Sequence, residues 1–327
     1  MKKRINRLLP GSFLIGFLIF FGSCTDMEQS QVTQDMTLKS IPEVLKTMEK
    51  GDEGDLNARK SAGNTYATFN AALGSSGLAS VFAQNELTVF APNDAAFAEL
   101  GLNPGNIRSL PNLTEILLYH VVGGTVLSTD LMSGFVPTLN GAAVQIDVMT
   151  DPMVNDASII LVDKMARNGV IHGIDAVLMP PTKNILELVE SNADFSILKT
   201  AIEAAGVGDI LANTDGLTVF APDNDAFVAL LGEYGFADLN EVVAALGQEG
   251  LVRVLAYHVF DGGRVFSSDL SDTSIEMFSG DQLTIDTSGP KLIDFYGRES
   301  MILDTDIQAT NGVVHVINQV VLPEVLP

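Results

Sequence analysis

The sequence predicts an α+β fold written twice in one chain, and three observations predict it. The first is repetition: LTVFAPNDAAF at 87–97 returns as LTVFAPDNDAF at 217–227, LLYHVVGGTVLSTDL at 117–131 as LAYHVFDGGRVFSSDL at 255–270, and NGVIHGIDAVLMP at 168–180 as NGVVHVINQVVLP at 311–323. The second is spacing, because order is kept while the offset grows from 130 at Thr88/Thr218 to 138 at His120/His258 and 143 at His172/His315. Growing offsets are what loop insertions between fixed elements produce, and a unit this long is a domain in itself. The third is a change of period inside each copy, helical first and alternating afterwards, which predicts a helical layer against an antiparallel sheet or sandwich.

Ahead of both copies stands a leader at 1–23: Lys2, Lys3, Arg4 and Arg7, then the apolar run FLIGFLIFF from Phe13 to Phe21, then Gly22 and Ser23. Nine apolar residues fall short of the roughly 20 that span a bilayer, so the segment reads as an export signal. Cys24 is the only cysteine in the chain, and its place directly after Gly-Ser resembles the lipobox of bacterial lipoproteins. The resemblance implies a diacylglyceryl thioether on Cys24, with Phe21 standing where leucine is usual. An ordinary signal peptide with an unrelated cysteine is the alternative. Residues 24–37 are polar and aperiodic and read as a tether; Asp26 and Glu28 are similar to the surface-export signal of Bacteroidota lipoproteins. Together these resemblances imply an exported protein, lipid-anchored to the outer membrane of a Gram-negative bacterium and expected at the cell surface.

The mature chain is strongly acidic. Formal charge is −23, and removing the four leader cations leaves 14 basic against 41 acidic residues, or −27. A surface of this sign repels phosphate backbones, which excludes nucleic acid as a partner.

The domains follow as 38–181 and 182–327. In each, Leu87 to Phe90 or its duplicate is a short buried strand, Ala-Pro turns the chain, and Asn93 or Asp94, repeated as Asp223 or Asn224, caps the next helix. Phe97 with Leu100, and Phe227 with Leu230 and Leu231, are expected to face the core. An amphipathic helix through Leu113, Ile116 and Leu117 follows, with a longer counterpart from Leu239 to Leu255. Asn140-Gly141 and Ser279-Gly280-Asp281 predict hairpins, and Asn168-Gly169 and Asn311-Gly312 turn the chain into a last strand.

TVFAPxxxAF, a Tyr-His pair and NGVxHxIxxVLxP together resemble the fasciclin domain, twice over. The resemblance implies two tandem wedges of about seven strands with several short helices, in a secreted or surface-anchored adhesion protein. It also implies two contact regions. One is an Asp-Ile pair ahead of the last strand, here Asp306-Ile307, where the first copy has Asp163-Lys164-Met165. The other surrounds the Tyr-His pairs, Tyr119-His120 and Tyr257-His258.

Chemistry is not written into this sequence. The four histidines lie inside the repeated motifs with no zinc spacing among them, and are expected to satisfy buried backbone groups. GSSG at 74–77 lacks the nucleophile-elbow spacing, although a Ser-His-Asp set assembled from distant segments stays open. Acidic clusters at 223–225, 147–156 and 304–306 lack the calcium loop that closes on a bidentate glutamate. The expectation is therefore a non-catalytic, lipid-anchored adhesion protein without cofactor or metal, recognising extracellular matrix, a surface glycan or another cell through an extracellular protein or polysaccharide ligand. A glycan-capture accessory of an outer-membrane uptake system is the alternative.

Overall fold

The computed structural model describes residues 38–49 and 64–324; the leader, Cys24 and the tether lie outside the described residues. The first copy runs α1 (Ile41–Met48), α2 (Ala67–Ser76), α3 (Ala79–Gln84), β1 (Leu87–Pro92), α4 (Asp94–Glu99), α5 (Leu113–Tyr119), β2 (Val121–Gly123), β3 (Gly134–Pro137), β4 (Ala143–Asp147), β5 (Met153–Val154), β6 (Ala157–Ala166) and β7 (Gly169–Ile174). The second repeats it as α6 (Ile185–Ser191), α7 (Ser196–Ala205), α8 (Gly208–Asn213), β8 (Leu217–Pro222), α9 (Asn224–Tyr234), α10 (Leu239–Ala256), β9 (Val259–Phe260), β10 (Thr273–Glu276), β11 (Gln282–Asp286), β12 (Lys291–Ile293), β13 (Glu299–Ala309) and β14 (Gly312–Ile317). Each copy builds one seven-stranded sheet, ordered β2-β1-β7-β6-β5-β4-β3 and β9-β8-β14-β13-β12-β11-β10. The fold is α+β, as the change of period predicts.

The middle of each sheet departs from the antiparallel expectation. β7 runs parallel to β1, and β14 parallel to β8. A parallel pair needs a long connection, and here more than half of the domain, residues 93–168 or 223–311, lies between the two strands. The same pairing carries β1 past the expected end at Phe90, since Ala91 and Pro92 still face Gly173 and Ile174. Leu87, Val89 and Ala91 pack under the helices with Phe69 and Phe82, whereas Phe90 points to the other face with Tyr119, Val144 and Ile146. β8 divides its residues in the same way. Burial on both faces explains why LTVFAP reads as an unbroken apolar run.

Local chemistry ends each element. Asn93 accepts from Ala96 N at 2.8 Å and Asp223 from Ala226 N at 2.7 Å, capping α4 and α9. The next residue in each copy reaches back instead, Asp94 to Thr68 N at 2.7 Å and Asn224 to Ile197 N at 3.0 Å. Leu100 does not face the core: α4 stops at Glu99, Gly101 turns left-handed at φ 71°, and Leu100 is 50% exposed. Phe97, Phe227 and Leu230 are buried as expected. The long helix α10 breaks at Gly247, whose φ is 69°. Among the described residues, no helix is long and apolar enough to cross a membrane.

Asn168 and Asn311, which open the last turn, tie three elements together. Asn311 Oδ1 accepts from Ile185 N at 3.0 Å, at the start of α6, while Nδ2 donates to Leu211 O at 2.8 Å and Thr214 O at 2.9 Å, at the end of α8. Asn168 does the same for Ile41, Phe82 and Asn85.

Candidate binding site at the seam between the copies

The four histidines form two pairs with opposite tautomers, each fixed by backbone partners. His120 and His258 follow α5 and α10; Nδ1 donates to Ile116 O at 2.7 Å or Val254 O at 2.8 Å, and Nε2 accepts from Leu178 N at 2.9 Å or Val321 N at 3.1 Å. His172 and His315, in β7 and β14, reverse the roles: Nε2 donates to Val126 O or Val265 O, both at 2.9 Å, and Nδ1 accepts from Asp163 N at 3.4 Å or Asp306 N at 3.3 Å. Burial pushes the His120 and His258 imidazoles down to about 4 and lowers the other two in the same direction. All four rings are neutral and have both nitrogens engaged.

Asp163 and Asp306 occupy the same place in β6 and β13. Both lie at register shifts with left-handed backbone, φ 57° and 64°. Their carboxylates accept from the backbone N–H and hydroxyl of Ser128 and Ser267; both backbone bonds measure 2.7–2.8 Å. Ser267, Asp306 and His315 thus stand together, but in an order that cannot run acyl transfer. The serine donates to the aspartate, and the imidazole has no nitrogen left to accept the serine proton. Hydrogen bonds from Ser128 hold the Asp163 carboxyl below its ordinary range.

Tyr119, His120, Tyr257 and His258 are all buried. Tyr257 donates to Gln282 O at 2.6 Å, within its own copy. Tyr119 donates to Ala143 O at 2.8 Å, and this is where the copies meet. Gln308, two residues beyond Asp306, donates through Nε2 to the same carbonyl at 2.8 Å and accepts Ala143 N through Oε1 at 2.9 Å. Alongside, Phe135 stacks on Phe266 with ring centroids 4.2 Å apart and planes 7° from parallel, over Ala143 and Val313. The structure therefore brings Tyr119 of the first copy to Gln308 of the second, two residues beyond Asp306, while Ile307 packs against the second copy's own helical core and Tyr257 and His258 lie away from that seam.

The seam opens into a cleft of about 400 Å³. Phe90, Val122, Phe135 and Ile146 give it an apolar floor; Asp130 and Ser133 from the first copy face Ser268 and Asp269 from the second. Met132, at its lip, is 78% exposed. Sequence reasoning missed these residues. Ala143 contributes only backbone, but Phe135, Phe266 and Gln308 left a signal: their repeat partners are Ser274, Leu127 and Met165, so the seam is written where the copies disagree. Among the described residues, no three of His, Cys, Asp and Glu gather in a way that could hold a metal ion.

Comparison with known proteins gives the same division. Transforming growth factor-beta-induced protein ig-h3 of Sus scrofa is 30% identical over 244 residues, 72% of this chain and 35% of that protein. This chain thus spans about a third of that relative's length. Protein sll1483 of Synechocystis is 32% identical over 139 residues, 42% of this chain and 73% of its own. Among solved structures, a FAS1 domain pair from the insect cell adhesion molecule fasciclin I covers 81% of this chain and 100% of its own, at 20% identity and a TM-score of 0.39. The fasciclin domain model matches residues 64–180 and again 193–323, about three quarters of the chain, and this protein therefore belongs to the fasciclin family as a tandem pair.

Proposed function

We propose that this protein is a non-catalytic adhesion protein of the bacterial cell surface, anchored through lipid on Cys24, that holds an extracellular matrix protein or surface polysaccharide in the cleft between its two domains. The cleft carries the reading. It is built by both copies, lies in the size range of ligand sites, and combines an apolar floor with carboxylates and hydroxyls at its rim. Fasciclin domains are domains of adhesion, which supports a binding role over a catalytic one. Asp306 and Tyr119 act in this reading by shaping the seam, and Ile307, His120, Tyr257 and His258 by holding the cores beneath it. The leader, the lipobox-like Gly-Ser-Cys24 and the polar tether support export and anchoring in the outer membrane.

The rim of hydroxyls and carboxylates also favours a second reading, capture of soluble glycans for an outer-membrane uptake system. One experiment addresses both. Bacteria displaying the full chain are applied to immobilised matrix proteins and polysaccharides, with Ser268→Trp to plug the cleft and Cys24→Ala to remove the anchor. Ser268→Trp is expected to reduce attachment at least tenfold with surface display intact, and Cys24→Ala to move the protein from membrane to soluble fractions. Attachment unchanged by Ser268→Trp would rule out the cleft, and equal membrane retention of Cys24→Ala would rule out the anchor. Competition by soluble oligosaccharides, without attachment to matrix proteins, would favour glycan capture.

A further inference from the structure

The two copies pack their helices on the sheet in the same way but fill the space between them differently. α2 and α7 each end on a left-handed glycine, Gly77 at φ 76° and Gly206 at φ 71°, which fixes the correspondence of the residues before and after. Phe69 then matches Leu198, Phe82 matches Leu211, and Leu45 of α1 matches Val189 of α6. In the first copy Phe69 and Phe82 are fully buried, edge-on to each other at 6.5 Å, and Phe69 meets the His120 ring at 6.0 Å. In the second copy two rings are replaced by leucines and one methylene is lost. A cavity of about 60 Å³ remains, bounded by Val189, Leu198, Ile202, Leu211, Val219 and Leu255, with the His258 ring where Phe69 would press.

This cavity has no free polar group. His258 has both nitrogens bonded to backbone, so its ring offers only carbon to the interior. The mouth is apolar too: Ile210 and Phe278 stand there 43% and 45% exposed. A polar ligand entering would lose its water and find no partner, whereas hydrocarbon loses nothing. The space of about 60 Å³, opened where two rings give way to leucines, is too small for a bulky ring system and suits a single unbranched chain. We propose that the second domain is a binding site for the end of an aliphatic chain, which enters between Ile210 and Phe278 and occupies the volume that Phe69 and Phe82 fill in the first domain.

The test uses the mature two-domain chain and straight-chain alcohols from butanol to decanol, with binding read by calorimetry and thermal shift. Affinity should rise about fourfold for each added methylene until the cavity is full and then level off, because each buried methylene contributes a roughly constant increment. Leu211→Phe and, separately, Leu198→Phe restore the first domain's residues. Each should abolish the chain-length dependence while raising the melting temperature of the free protein by a few degrees. If one variant folds poorly through overpacking, the other carries the comparison. No alcohol binding to the wild type, or equal binding by wild type and a folded filled variant, would overturn the site. Neither result bears on the cleft between the domains, whose lining shares only the buried-sheet architecture and none of these residues.

Discussion

At the scale of single residues, the histidines are neutral wedges whose hydrogen bonds replace missing backbone partners, and this makes the fold sensitive to acid. His120 and His258 sit near 4 in the folded protein because burial disfavours the charged ring, whereas in the unfolded chain they return to about 6.5. Between those values the unfolded state binds more protons. Stability is therefore full above about pH 6.5 and lost as pH falls towards 4, with no further loss from these two groups below that. At pH 5 each should have lost on the order of 2 kcal/mol. His172 and His315 add to this in the same direction. Urea unfolding at pH 7.5 and pH 5 measures the effect; equal midpoints would show that these rings are not buried as neutral groups. The acid-side loss from Asp94 and Asp163, whose folded values are lowered, belongs to a lower range and separates from it. These assignments were half legible beforehand, since the restriction of histidine to repeated motifs announced a structural role. Burial of both Tyr-His pairs was not, because a helix end followed by a strand does not reveal how deeply it is covered.

At the scale of elements, the last turn of each copy holds the helical layer to the sheet. Asn311 is buried and its side chain satisfies one N–H at the start of α6 and two carbonyls at the end of α8. Asn311→Ala leaves those groups without partners inside the protein and is expected to cost about 2 to 4 kcal/mol, more than the ordinary surface substitution. Asn311→Asp keeps the acceptor but sets a carboxylate oxygen against the Leu211 and Thr214 carbonyls in a buried site, so at neutral pH it should cost at least as much as alanine. Chemical denaturation decides the order, and an alanine variant as stable as wild type would remove the asparagine from this role. The Asn-Gly pair was readable as a turn from its residue types alone. Its second duty was not, because the partners lie about a hundred residues earlier and nothing in local spacing points to them. Parallel pairing of β1 with β7 escaped for the same reason: each strand's pattern shows burial on both faces, but the direction of its neighbour is a long-range property. The break of α10 at Gly247 was visible as a glycine, and the length of apolar periodicity around it concealed its effect.

At the scale of the whole molecule, two copies of one fold have been made unequal, and the inequality is what joins them. Each domain has its own pair of apolar clusters, one on each face of its sheet, so neither needs the other for a core. The seam adds one small shared cluster and the Gln308 contacts with Ala143. A contact of that size couples two stable domains without being required for either, which places it among interfaces that set orientation. Linking the domains this way also fixes the cleft, so a ligand held there as proposed would meet a preformed surface and lose less freedom on binding than it would between two swinging modules. Breaking the seam should then separate folding from binding. Gln308→Met installs the residue found at the matching position of the first copy, and Phe266→Ala removes the stacked ring. With both changes each domain is expected to stay folded, while scanning calorimetry resolves two transitions where the parent shows more closely coupled melting. Attachment of the intact chain should fall towards that of the separate domains mixed at equal density, because the advantage of two joined contacts depends on their geometry. Unchanged attachment together with resolved transitions would mean that each domain binds alone and their covalent connection is enough; unchanged calorimetry would mean that the seam couples nothing.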